Sequence, residues 1–409
     1  MSEVSILEQI INNQKAEEVA RLNAIEVVES LFSELSERER DVLKRRFGLH
    51  GEGYETLENV GSLHSLTRER IRQIELGSIK RLLSLNQASE NIDSLKKIIN
   101  HLLEEHGGIM ERSYLLDALV GFSINGDSLK EEERSKQEEI HKNHLEFLIS
   151  KLLHKDFEEV KSSGKFKKSF KLKYHNLDYL EELTEEFLNK IRETQKVYKT
   201  EELLRFITGL ESYQKHKDKM EIKGELDISR FLKRNHFFEE KIELIQQYKV
   251  LYSVLKALKD IEQNKFGYWG IHDSKEIKPK TINDKIYLVL KHSGKPMHFV
   301  EIAKKINEVE FDNKKAHNAT VHNELILDNK YVLIGRGIYG LKEWGYKEGT
   351  VADVIKDILA TNDKPLSKDE IVEKVFEKRL VKKATINLAL MNKNLFEKRE
   401  NKYYLKESA

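Results

Sequence analysis

The chain has no cysteine, which excludes disulfides and thiolate metal ligands and fits a reducing compartment. Three prolines in 409 residues leave few obligatory helix breaks. No apolar run approaches the ~18 residues of a membrane span, and Met1-Ser2-Glu3 does not open a signal peptide. Charge of one sign is missing too: 71 Lys and Arg offset 70 Asp and Glu, for a net +1. Affinity for nucleic acid must therefore come from local patches. Catalytic patterns are absent, with no H-E-x-x-H, no P-loop and no nucleophile elbow. His141, His144 and His154 share one helical stretch, but no carboxylate is placed as a co-ligand, so they read as solvent-facing or capping histidines. Glu131-Glu132-Glu133 reads as a charged loop, and Trp269 and Trp344 as core. The expectation is no enzyme, no cofactor, no metal site, no small-molecule substrate and no membrane partner.

What is present is 34% charged residues over a length that calls for several domains, and one stretch, Leu35 to Leu82, that organises the rest. Leu35, Val42, Leu43, Phe47 and Leu49 space like one apolar helix face closed by Gly48. Gly51-Glu52-Gly53 marks a loop. Thr56 to Leu63 makes a short helix, His64-Ser65-Leu66 a turn, and Thr67 an N-cap for the next helix. That helix points Ile71, Ile74, Ser78, Ile79 and Leu82 inward. Arg68, Glu69, Arg72 and Gln73 share its outer face. Arg and Gln fit purine edges bidentately and Glu accepts from a cytosine amine. They crowd the head of the helix, where a recognition helix meets bases.

Leu35 to Leu82 resembles region four of housekeeping-class bacterial sigma factors, the domain that recognises the −35 promoter element. The run Thr67-Arg68-Glu69-Arg70-Ile71-Arg72-Gln73-Ile74-Glu75 matches that family's recognition helix without a gap, as does the spacing back to Arg45-Arg46-Phe47-Gly48. The resemblance implies that Arg68, Glu69 and Gln73 face base edges. It sets Thr67, Arg70 and Arg72 largely at phosphates, and Arg38 and Arg46 on the flanking backbone. It also implies a partner, the flap of the RNA polymerase beta subunit, met through a partly apolar surface. It implies a cytoplasmic, nucleoid-associated place in a bacterial cell. Two departures stand out. After Glu75 the chain has Leu76-Gly77-Ser78 where the family carries a small residue and several basics, and Gly77 weakens the helix by about 1 kcal/mol relative to Ala. Only 34 residues precede the match, so the domains that bind core polymerase and melt the −10 element are expected to be missing.

In chain order, Ser5 to Glu29 alternates apolar and charged residues at helical spacing, and Asn86 to Asp93 is a polar linker. A repeat then begins. Glu105 to Met110, Thr194 to Tyr198, Ser293 to Met297 and Asn362 to Leu366 each follow an amphipathic helix and precede another. Ser367 and Glu370 form an S-x-x-E capping box. Tyr331 to Leu341 and Leu395 to Leu405 read as hairpins, as does Phe157 to Leu172 with its turn at Ser162-Ser163-Gly164. A charged insertion falls near Gly126 to Glu139. Extra helical material from Ile228 to Ile261 makes the second unit the poorest fit. The expected class is mainly α, a helix–turn–helix domain followed by several small winged-helix (α+β) domains in series. Its parts are a helical lead at 1–34, the helix–turn–helix domain at 35–85, and winged-helix-like units at 92–175, 183–273, 281–346 and 350–406.

Lys295 to Ala303, Thr320 to Leu325 and Gly335-Arg336-Gly337-Ile338-Tyr339 resemble the HARE-HTH winged helix, which also occurs in the delta subunit of bacterial RNA polymerase. That implies a DNA-facing or polymerase-facing module. A third helix and a wing tip would meet DNA through Lys314, Lys315, Asn318, Thr320, His322, Asn323 and Arg336. In the last unit the set is Lys382, Lys383, Thr385, Asn387 and Asn392, with Lys398 and Arg399. Taken together, these features imply a promoter-DNA-binding transcription protein acting with RNA polymerase on double-stranded DNA. A polymerase-associated protein using its winged helices for protein contacts is the alternative. The HARE-HTH resemblance also permits a DNA-recognition subunit of a restriction or defence system.

Overall fold

A computed structural model of the chain describes residues 23–86, 90–123, 131–161, 164–222, 226–232, 237–362 and 364–406. The helices expected before residue 23, residues 87–89 of the expected linker, the start of the charged insertion and the turn residues Ser162 and Ser163 lie outside these residues. Glu90 to Asp93, expected in that linker, open a helix instead. The chain divides into two compact units, 1–263 with 267–272, and 264–266 with 273–409.

The first unit opens with α1 (Ala24–Phe32), α2 (Glu37–Arg46), α3 (Leu57–His64) and α4 (Arg68–Asn86). Local chemistry sets the boundaries. Asn23 caps α1, Thr56 caps α3, and Ser36 with Glu39 closes a capping box on α2. Such caps satisfy the orphan N–H groups of a first turn. Leu35 and Leu49, expected on the α2 face, flank the helix instead, and His64 is the last residue of α3 rather than part of the turn.

There follow α5 (Glu90–Glu105), β1 (Ile109–Glu111), α6 (Arg112–Ser123), α7 (Glu131–Phe147, extended by a π-helical turn Leu148–Leu152), β2 (Phe157–Val160) and β3 (Ser169–Leu172). Glu131 to Glu133, read as a loop, are the first turn of α7. Next come α8 (Asp178–Thr194), β4 (Tyr198–Lys199), α9 (Thr200–Thr208), the short α10 (Glu211–Lys215) and α11 (Lys217–Met220), α12 (Ile242–Gln247), α13 (Lys249–Ala257), β5 (Ile261–Gln263) and β6 (Tyr268–Ile271). The extra material in this segment therefore starts earlier than expected, at α10, and Lys249–Ala257 takes the place of a third helix.

The second unit holds α14 (Ile282–Ser293), β7 (Met297–His298), α15 (Phe299–Val309), α16 (Asn318–Leu327), β8 (Tyr331–Gly335) and β9 (Ile338–Leu341). It ends with α17 (Val351–Thr361), β10 (Leu366–Ser367), α18 (Lys368–Lys378), α19 (Lys383–Leu390), β11 (Phe396–Arg399) and β12 (Lys402–Leu405). Helices predominate, and the four antiparallel sheets run β1-β3-β2, β4-β6-β5, β7-β9-β8 and β10-β12-β11. Each is the same device: a short strand between the first two helices of a segment pairs with the second strand of the hairpin after the third. The chain is thus mainly α, a helix–turn–helix head followed by small α+β units.

One continuous core runs through the first unit from Ala24 to Trp269. Glu105 and Lys249 form an ion pair at its centre, with side chains 5% and 2% exposed. His141 and His144 are also buried, against the expectation of solvent-facing rings, because α7 is covered on the side that carries them. In the second unit, Arg379 is buried, its charge favoured by the Asp353 carboxylate nearby. It donates to the carbonyls of Leu333, Lys347 (2.7 Å) and Gly349 (2.8 Å), while Leu380 N donates to Ile334 O at 3.0 Å. This joins the last α+β segment to the edge of strand β8.

Candidate nucleic-acid interface

The head builds its presenting surface from a very small core. Val42 of α2, Val60 of α3 and Ile71 of α4 are fully buried together, with Leu57, Leu66 and Ile74 around them. Between α3 and α4 the chain reverses at Ser65, which sits in the left-handed region at φ 54°. The turn lies so close to α3 that a Cβ on Gly61 would stand 2.7 Å from Leu66 O. Thr67 Oγ1 then accepts from Arg70 N at 3.2 Å, which starts α4 at Arg68.

Past that cap, Arg68, Glu69, Arg70, Arg72 and Gln73 are exposed, while Ile71, Ser78 and Leu82 turn inward. The exposed groups satisfy one another. Arg68 pairs with Glu58 of α3 at 2.9 Å, Arg72 donates to both oxygens of Glu69 at 2.8 and 2.7 Å, and Arg70 donates to Gln73 at 3.2 Å. The hydrogen bond from Arg72 holds the Glu69 carboxyl below its usual range, and Glu69 raises the Arg72 guanidinium. Exposed pairs of this kind contribute little in water, so incoming bases and phosphates can replace them.

Arg38 is exposed on the first turn of α2. Arg46, expected at the DNA backbone, is turned inward: its Nε donates to Glu75 at 2.8 Å and its Nη1 to Glu55 O. It ties α2 to α4. Beside it Arg45 joins Asp41 and Glu55, and His64 Nε2 lies 2.8 Å from Asp41. The Arg46–Glu75 tie holds α4 from behind, and its partners lie too far apart in sequence for any local pattern to reveal it.

The other face of the head is covered by α7. The Phe147 ring lies 5.0 Å from Phe47 and 5.7 Å from Phe32. Asn143 donates to Gly48 O at 3.0 Å, and the Tyr54 hydroxyl donates to Glu146 at 3.0 Å. Gly51 is φ +82°, and a Cβ there would come within 2.9 Å of Ile140.

In the second unit Lys314, Lys315, Asn318, Thr320, Asn323 and Arg336 are exposed. His322 is not: its ring lies 4.5 Å from Phe299 and 6.0 Å edge-on to Tyr339. Lys382, Lys383, Thr385, Asn392, Lys398 and Arg399 are exposed. Asn387, at the position in α19 that His322 takes in α16, is half-buried, with a buried Oδ1 lacking a partner. Arg399 is paired with Glu397 at 2.7 Å. Both inward turns have one cause: in each helix that position borders the buried Val321 or Ile386. Among the described residues no group of three His, Asp or Glu could hold a metal ion, and no helix is long and apolar enough to cross a membrane.

The head is a helix–turn–helix with a charged outer face on its last helix, and the sequence match agrees with that fold: residues 31–82 match the family model for sigma-70, region 4. The same part of the chain is similar to sigma factors. It is 47% identical over 73 residues to RNA polymerase sigma factor SigA1 of Synechococcus elongatus, which covers 18% of this chain and 18% of that protein. Over a stretch of the same length it is 42% identical to sigma factor SigA of Microcystis aeruginosa, again 18% of each chain. It is 48% identical over 58 residues to sigma factor RpoD of Helicobacter pylori, 14% of this chain and 9% of that one. The chain thus spans less than a fifth of the length of these relatives. No solved structure matches it.

Proposed function

We propose that this protein reads a −35-like promoter element in double-stranded DNA through its head and acts with RNA polymerase in transcription initiation or its regulation. Arg68, Glu69 and Gln73 face base edges, and Thr67, Arg70, Arg72 and Arg38 meet the backbone. Arg46 positions α4 through Glu75 instead of touching phosphate. One observation carries the reading: an intact reader set stands exposed on the first turns of α4, held only by solvent-facing pairs. The third segment, which resembles HARE-HTH, extends the footprint through Lys315, Asn318, Thr320, Asn323 and Arg336.

A contact with the polymerase beta flap, which the resemblance implies, has to use what α7 leaves uncovered. The large apolar side chains exposed on the head are Tyr54, Leu63 and Leu76. Binding the full chain to a randomised duplex library and sequencing the bound pool tests the DNA reading. Enrichment of a −35-like motif that Arg68→Ala abolishes is the expected result. Salt-sensitive binding without enrichment would overturn it, and a pull-down on the beta flap would then test the polymerase-associated reading.

A further inference from the structure

The helix–turn–helix of the last segment, α18 and α19, carries a face unlike that of the head. Helix α19 buries Ile386 and Leu390 and turns Ala384, Leu388 and its C-cap Met391 outward. Spacings of four and three set these on one stripe. Leu388 is 71% exposed and Met391 72%. Helix α16 repeats the register: Ala319-Thr320-Val321 answers Ala384-Thr385-Ile386, and Ile326, 62% exposed, stands where Met391 does. A groove-reading helix needs hydrogen-bonding groups at these outward positions. Leucine and methionine offer bases only contact with a thymine methyl. An exposed apolar stripe with a polar rim is instead the mark of a protein contact.

The rim is mostly basic: beside the exposed Glu377 and Asp369 stand three lysines that no carboxylate among the described residues takes up. Lys378 ends α18, Lys382 is the N-cap of α19, and Lys393 lies two residues past Met391. All three are exposed, and none makes an ion pair among the described residues. Lys383 is paired, with Asp369 at 3.2 Å. The occupant that satisfies both features carries apolar side chains along one face and carboxylates beside them.

We propose that the stripe Ala384, Leu388 and Met391 docks an acidic, amphipathic helical segment of a partner protein, with Lys378, Lys382 and Lys393 receiving its carboxylates. Packing a helix on a helix stripe buries the exposed Leu and Met side chains, and the lysines orient and select the partner. The last α+β segment is then a protein-docking module, whatever the head reads.

The test titrates the full chain into a labelled synthetic helix of about five turns, roughly 18 residues, with Leu at i, i+3, i+4 and i+7 and Glu elsewhere. A second peptide carries Lys for Glu, and a labelled random-sequence duplex serves as the nucleic acid. The acidic peptide is expected to bind and the basic one not. L388D/M391D and K382E/K393E are each expected to weaken the acidic peptide by at least about tenfold, and L388D/M391D to leave duplex binding unchanged. These positions are exposed, so an unchanged circular dichroism spectrum certifies folding. Equal binding of the two peptides, or wild-type affinity in L388D/M391D, would overturn the proposal. So would loss of duplex binding in that variant, which would assign the face to DNA. A dimer in sedimentation that L388D/M391D dissociates would assign it to a second copy of the chain. The library selection depends on Arg68, so either reading can fail alone.

Discussion

Helix α4 of the head and helix α19 of the last segment hold the same place in their folds, the third position of a helix–turn–helix, and expose different chemistry. On α4 the outward positions of the first turns are Arg68, Glu69, Arg70, Arg72 and Gln73; α19 exposes the polar Lys383 and Thr385 and beside them the apolar Ala384, Leu388 and Met391. Their supports differ as well. The head has a core of three fully buried side chains of its own, and its other buried apolar residues join the core that runs through the first unit. The last segment buries eleven residues from Val354 to Phe396 in a cluster of its own. A shared topology therefore fixes where a surface is presented and says nothing of what it binds.

The difference in support is the easiest to break. Phe147→Ala empties the contact with Phe32 and Phe47 and is expected to cost about 3–5 kcal/mol. Urea unfolding followed by head-specific and whole-chain probes should show the head lost together with the rest of its unit. A head that stays folded would show it to be autonomous.

The difference in chemistry comes next. Arg68→Ala with Glu69→Ala should lower affinity for the selected DNA roughly ten- to a hundredfold for each lost base contact, with a smaller loss on random sequence. Equal loss on both would mean that these side chains meet only phosphate.

Arg379→Met leaves the carbonyls of Leu333, Lys347 and Gly349 without their donor and should cost about 1–3 kcal/mol for a buried one. Thermal unfolding of the full chain reads it, and an unchanged midpoint would show that Leu380 alone joins the last segment to β8.

A gentler probe is pH. Burial pushes the imidazoles of His106 and His141 down to about 4 from an ordinary 6.5. The unfolded chain takes up protons in that interval while the folded chain does not. Their contribution is therefore intact above 6.5 and is lost as pH falls toward about 4. Denaturation midpoints measured across this window should fall, and less steeply in His106→Gln. The smallest effect is expected from Lys382→Ala with Lys383→Ala, which should leave the salt dependence of DNA binding unchanged. A shallower slope would return α19 to the nucleic acid.

The head was legible in the sequence because local chemistry marks each of its joints. Gly48, Gly51-Glu52-Gly53 and Thr67 announce the helix ends, and 3.6-residue spacing announces the helix faces. The hairpins were legible by alternation. The strands β4, β7 and β10 are two residues long, too short for any period, and only their place between helices betrays them. Side chains with two plausible environments were not legible. Arg46 is as basic as Arg38, yet it is taken by Glu75, 29 residues away. His141 and His144 lie on a polar helix whose other neighbours gave no sign of burial.

By itself the sequence determined the main helices, the caps at Thr67 and Ser367, the charged outer face of α4 and the serial repeat, since all of these depend on neighbours within a few turns. Only the tertiary structure decided that α7 closes the back of the head, that Arg46, His322 and Asn387 face inward, and that Leu388 and Met391 stay outside. Those outcomes depend on which surfaces meet across tens of residues, and apolar burial, being non-directional, leaves no local signature of its partner.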